Sequence, residues 1–178
     1  YLPTARAEVY YYQGGKAYAN RITSEITHWI EEVEDRYDRS IEGTVQVLVY
    51  NKQAEFRQSN IGSGHQNAQN IGGTATLVGS KLFVYADGMW EHTEEDVKRS
   101  LSSLIFNQIL YGGNWQEALR SSTTGISFPE WFTAGLHSFV AQQWSSEAAL
   151  HVWDAARCGK LLHAHRSTGE EARWVGHG

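Results

Sequence analysis

Between residues 17 and 37, apolar side chains return at Tyr18, Ile22, Ile26, Trp29, Ile30, Val33 and Tyr37. Counted from Tyr18, the offsets are four, eight, eleven, twelve, fifteen and nineteen, which follow a helical period and not an alternating one. A helix with one apolar stripe is stable only when a sheet or other helices cover that stripe. The rest of the chain must supply the cover. The opposite face carries Glu25, Glu31, Glu32, Glu34 and Asp35, and the simplest reading of this charge run is a solvated helix face.

Strand patterns flank the stripe. Residues 8–12, EVYYY, read as a short strand broken by QGG. Residues 43–50, GTVQVLVY, are rich in β-branched side chains, with Val45, Val47 and Val49 on one face. NKQAEFRQ, at 51–58, can form a short helix, and the Gly- and Asn-rich run at 59–73 reads as a loop. TATLV and KLFVY then flank GS, a spacing that suits a two-residue hairpin turn. TEED, opening at Thr93, predicts a helix N-cap. That helix reaches about Tyr111 with Val97, Leu101, Leu104, Ile105, Ile109 and Leu110 on its apolar face, and GGN ends it. Ser127, Pro129 and Glu130 predict the start of a helix to about Trp144, and another covers 146–157. Most strands come before most helices, so the fold class is α+β, with a small N-terminal sheet packed on helices.

Bulk properties narrow the function. At 178 residues the chain fits one domain, 1–178. The net charge is −5 and no basic cluster stands out, which disfavours a nucleic-acid partner. A single cysteine, Cys158, excludes an internal disulfide and reads as a structural or free thiol. No apolar run approaches the roughly 20 residues of a membrane-spanning helix. The chain opens at Tyr1 without an initiator Met and closes in a polar, His-containing tail, so it is expected to be a piece of a larger protein.

Several runs then align with one known frame: VYYYQGG, VQVLVYNKQAEFRQSNIG, GGTATLVGSKLFVYADG, LIFNQILYGG, FPEWFTAGLHSF and TGEEARWVGH. In this order they resemble the peptidase MA-like, or gluzincin-type, domain. Within that family they look like the version found in Bacteroidetes at the N-terminus of envelope proteins that continue into a TolB-like β-propeller. The resemblance implies a zincin-like α+β fold with a mixed sheet, a periplasmic or cell-envelope location, and a C-terminal β-propeller in the full-length protein. An active member needs two His four apart on a helix, a Glu between them to activate water, and a third ligand from a later helix.

The same frame puts the first His at Ser103, the Glu at Leu104, the second His at Asn107 and the third ligand, in PEWFTAG, at Ala134. Ser and Ala are not strong zinc ligands, Asn is a poor one, and Leu104 cannot accept a proton from water. No His occurs between His92 and His137, so a small shift in frame does not restore the site. The resemblance therefore implies a pseudo-peptidase: no catalytic residues, no metal, no cofactor, and a binding or scaffolding role with a protein or peptide partner. The cleft to inspect lies between a sheet edge at 82–87 and the helix at 94–111.

Other chemistry is weaker. His137 reads as an ordinary polar helix residue rather than a replacement ligand, since one His cannot hold zinc alone. His163 and His165, with His151 and His177, form the densest histidine region. They read as surface or loop residues, and the alternative is an active metal-dependent hydrolase built on them. GSG at 62–64 followed by His65 lacks the Gly-x-Ser-x-Gly elbow of a serine hydrolase and the Gly-Lys-Ser/Thr of a phosphate loop. Trp131, Phe132, Phe139, Trp144 and Trp153 read as core aromatics; Trp131 and Phe132 are adjacent, so one of them is expected to be exposed.

Overall fold

A computed structural model describes residues 1–50, 75–78, 81–85, 88–112, 128–142, 144 and 146–159. It is an α+β arrangement of one mixed sheet and, among the described residues, four helices. The strands are β1 (Leu2–Pro3), β2 (Ala7–Tyr11), β3 (Val45–Tyr50), β4 (Ala75–Val78) and β5 (Lys81–Tyr85). The helices are α1 (Lys16–Tyr37), α2 (Trp90–Tyr111), α3 (Glu130–Gln142) and α4 (Ser146–Arg157). The short helix expected at 51–58, the loop at 59–73 and the histidines at 163, 165 and 177 lie outside the described residues.

The sheet order is β1-β2-β3-β5-β4. The central pairs β2–β3 and β3–β5 are parallel, and the outer pairs β1–β2 and β4–β5 are antiparallel. Val78 pairs with Lys81, so two residues close the hairpin, as TATLV-GS-KLFVY implies. The sheet edge beside α2 is therefore β4, and not the strand at 82–85; residues 86 and 87 of the expected edge lie outside the described residues. Strand β5 is interior because β3 takes its other side. One rung explains the register: Leu2, Val9, Val47, Leu82 and Leu77 stand opposite one another across all five strands. A slip of one residue would turn this row away from the core.

The same face is covered by α1 and α2. Ile22, Ile26, Trp29, Ile30 and Val33 from α1, and Val97, Leu101, Leu104 and Ile105 from α2, join Val9, Val45, Val47, Val49, Leu82 and Val84 in one buried cluster. The α1 stripe thus packs as its period requires. The α2 stripe differs at Ile109, which is 40% exposed, while Gln108 on the same helix is buried.

Two sequence readings need correction. Helix α2 starts at Trp90, three residues before Thr93, the expected N-cap. Thr93 lies inside its first turn, fully buried, with its hydroxyl meeting the Tyr18 hydroxyl and donating to the Met89 carbonyl. A threonine whose hydroxyl already serves a helix neighbour is not free to cap. The acidic run on α1 is also only partly solvated. Glu34 is buried and binds Arg6, and the Glu32 carboxylate forms an ion pair with Lys98 of α2.

The connection from α1 to β3 is pinned from both sides. Asp38 ends α1 in the left-handed conformation at φ 48°, which Asp tolerates better than most side chains. Glu34 then accepts the Ile41 N–H at 2.6 Å. From α2, Gln108 accepts the Glu42 N–H at 2.9 Å and donates to the Glu42 carbonyl at 3.2 Å. The side-chain amide thus satisfies a backbone donor and acceptor that have no strand partner there.

Candidate functional site

The four positions inherited from the peptidase frame fall on α2 and α3. Ser103 and Asn107 lie one turn apart on α2, both half-buried. Leu104 is 1% exposed and packs in the core with Leu101 and Ile105. A carboxylate at 104 would therefore be buried among apolar side chains, a costly place for a charge without a partner. Ala134 is exposed on α3.

What α3 presses against α2 is the neighbouring row. His137, one turn after Ala134, brings its Nδ1 to 2.8 Å from the Ser102 Oγ. Its ring meets Phe106 edge-on, with centroids 5.6 Å apart. Ser102 and Phe106 each precede a frame position by one residue, a rotation of about 100° around the helix. The two helices thus cross at the level of the frame positions, and the contacting pair is the adjacent one.

Ser102 is fully buried and also lies 2.8 Å from the Tyr37 hydroxyl. Tyr37, Ser102 and His137 form a chain of three polar tips joining α1, α2 and α3. Burial, and then the nearby Arg99 guanidinium, hold the His137 imidazole down from 6.5 to about 4, so it is neutral at pH 7. Burial raises the Tyr37 phenol, and the hydrogen bond with Ser102 partly offsets this. A Ser–His contact of this length matches a nucleophile and its base by distance alone. The chemistry fails because Ser102 has no exposed surface, so no substrate carbonyl reaches its hydroxyl, and because so weakly basic a His is a poor proton acceptor. The triad is structural. Reading His137 as an ordinary polar helix residue missed this chain, whose partners lie 35 and 65 positions from Ser102.

Beside this triad lies an aromatic cluster. Phe128 stacks on Phe132 at 5.4 Å and meets Phe106 edge-on at 5.6 Å, and Trp131 meets Phe132 at 6.0 Å. Phe128 and Phe132 are each 38% exposed. Phe139, Trp144 and Trp153 are exposed at 50%, 59% and 68%. The core reading therefore fails for Phe132, Phe139, Trp144 and Trp153, while Trp131 is half-buried; α3 buries only Val140 and Ala141, and the described side chains of α4 lie mostly on the surface. Of the adjacent pair, Phe132 is the exposed member. Cys158 is exposed just after α4.

Among the described residues, no three His, Cys, Asp or Glu side chains are grouped to hold a metal ion. His151 is exposed on α4. No described helix is long and apolar enough to cross a membrane. No family model, curated protein or solved structure matches the chain.

Proposed function

We propose that the chain is a gluzincin-like pseudo-peptidase domain that binds or scaffolds a protein or peptide partner and does not cut it. The observation that carries this is the chemistry of the frame positions: Ser103, Leu104, Asn107 and Ala134 offer no strong zinc ligand and no base. The order of strands and helices, and the crossing of α2 and α3 beside Ser103 and Asn107, support the frame. The exposed pair Phe128 and Phe132, backed by the half-buried Trp131 next to that crossing, is the surface suited to an apolar peptide, because partly exposed aromatics give large contact area at low entropic cost. On the same resemblance, the proposal extends to a bacterial cell-envelope location ahead of a β-propeller.

Calorimetric zinc titration tests the reading in two arms. The unaltered chain is expected to take up no stoichiometric zinc and to leave an unstructured peptide intact. A variant carrying Ser103→His, Asn107→His and Ala134→Glu is expected to gain zinc affinity of micromolar or better, on the order of 8 kcal/mol of binding free energy. Leu104 is left in place because it is core. Tight zinc with peptide cleavage in the unaltered chain overturns the pseudo-peptidase reading. A folded triple variant that gains no zinc affinity overturns the frame.

A further inference from the structure

We infer that His137 is an acid-sensitive latch holding α3 against α2, so that mild acid frees α3 while α1, α2 and the sheet stay packed. The inference does not depend on the peptidase frame. It rests first on how α3 is anchored. Seven residues of α2 are buried, three of them polar, whereas α3 buries only Val140 and Ala141. Among the described residues, Leu136 of α3 packs against the core and the Gln142 amide donates to Glu95 at 2.9 Å. His137 ties α3 to α1 by hydrogen bonds, through Ser102 to Tyr37. The imidazole sits inside the α2–α3 contact, so its charge state bears directly on the docking of this helix.

The surroundings of His137 make its protonation costly. From α2 it faces the Arg99 guanidinium, a like charge to an imidazolium; Asp96 holds Arg99 through a hydrogen bond of 2.8 Å. From α1 the Tyr37 phenol reaches it through Ser102; the phenol is neutral and carries no compensating charge. Phe106 covers a ring edge, and Glu95 is engaged with Gln142. Protonated, Nδ1 still donates to Ser102, so the hydrogen bond survives; the cost is a buried cation beside another cation.

The sign follows from linkage. The docked imidazole titrates near 4 and the undocked one near 6.5, so the undocked state holds more protons between those values. Docking is at full strength above about pH 6.5 and is lost progressively as pH falls toward 4. At pH 5 the undocked population is expected to be roughly thirty-fold larger than at pH 7.5.

Native-state hydrogen exchange on the full chain reads this directly, as protection factors corrected for intrinsic rates at pH 7.5 and pH 5.0. The α3 amides are expected to lose roughly thirty-fold of their protection while the α1 amides keep theirs. In His137→Asn, which keeps a polar group near Nδ1 but does not titrate, α3 protection is expected to be flat with pH. Should that variant fold poorly, Arg99→Gln serves instead: with the like charge gone, the loss shrinks. Loss of protection in α1 and α3 in step overturns the latch, because the transition is then global. So does an unchanged acid loss in His137→Asn, or no loss in the unaltered chain.

Discussion

Replacing Trp29 by alanine is expected to lower the free energy of unfolding by about 3–5 kcal/mol. Trp29 is 2% exposed and is the largest fully buried side chain among the described residues. It sits on α1 where the helix meets the start of α2, with its ring 5.5 Å from that of Trp90. Trp90 is gripped on other sides by Tyr18, edge-on at 5.6 Å, and by the Arg21 guanidinium, 3.9 Å above its ring. The loss therefore combines a cavity in the core with a slackened aromatic and cation–π cluster, two effects of one cause. A chain of this size commonly has about 5–15 kcal/mol in hand, so one substitution would remove a large share. Trp29→Phe, which leaves a smaller void, is expected to cost about half as much. Urea unfolding followed by circular dichroism measures both. A Trp29→Ala variant within 1 kcal/mol of the unaltered chain would contradict the packing described.

Arg6→Met is the second large loss, about 2–4 kcal/mol. The Arg6 guanidinium forks onto Glu34, with Nη1 donating to Oε2 at 3.1 Å and Nη2 donating to Oε1. Bidentate pairing of this kind fixes geometry as well as charge. The Glu34 side chain is 11% exposed, and without Arg6 its carboxylate keeps the Ile41 N–H but loses its countercharge. The range sits below that for fully buried pairs because Arg6 itself is 30% exposed and water relieves part of the cost. Adding Glu34→Gln to Arg6→Met is expected to recover part of the loss, since the amide oxygen still accepts from Ile41 and no charge is stranded. A double variant that is destabilised by the sum of the two single changes would show that the groups do not act as a pair.

Much of the fold was legible because it rests on periodicity. The stripe from Tyr18 to Tyr37 named α1 and its buried face, and the alternation of Val45, Val47 and Val49 named β3. The residues that went unread are polar and buried: Glu34, Thr93, Ser102 and Gln108. Each looks like surface in a local pattern because its partner is remote. Ser102 meets Tyr37 across 65 positions, and Gln108 meets Glu42 across 66. The aromatics of α3 and α4 failed in the opposite direction. Composition says they are apolar, but it does not say whether enough sheet or helix remains to cover them, and here α1 and α2 have already taken the described sheet face. At the frame positions, the sequence could name Ser103, Leu104, Asn107 and Ala134. It could not show that α3 leans on Ser102 and Phe106, one residue to the side.

The doubly tethered crossover at 38–44 has a bearing on how the chain meets proteases. Arg39 offers trypsin a cleavable bond on a surface loop, ordinarily the first place to be nicked. A protease must draw its substrate straight through a narrow groove, and this stretch does not straighten. Asp38 is bent into the left-handed region, the Ile41 carbonyl accepts from Arg6 at 3.4 Å, and Gln108 holds both the N–H and the carbonyl of Glu42. The loop is thus surface by location but shielded by its own bonding, and scission after Arg39 must wait until α1 and α2 part.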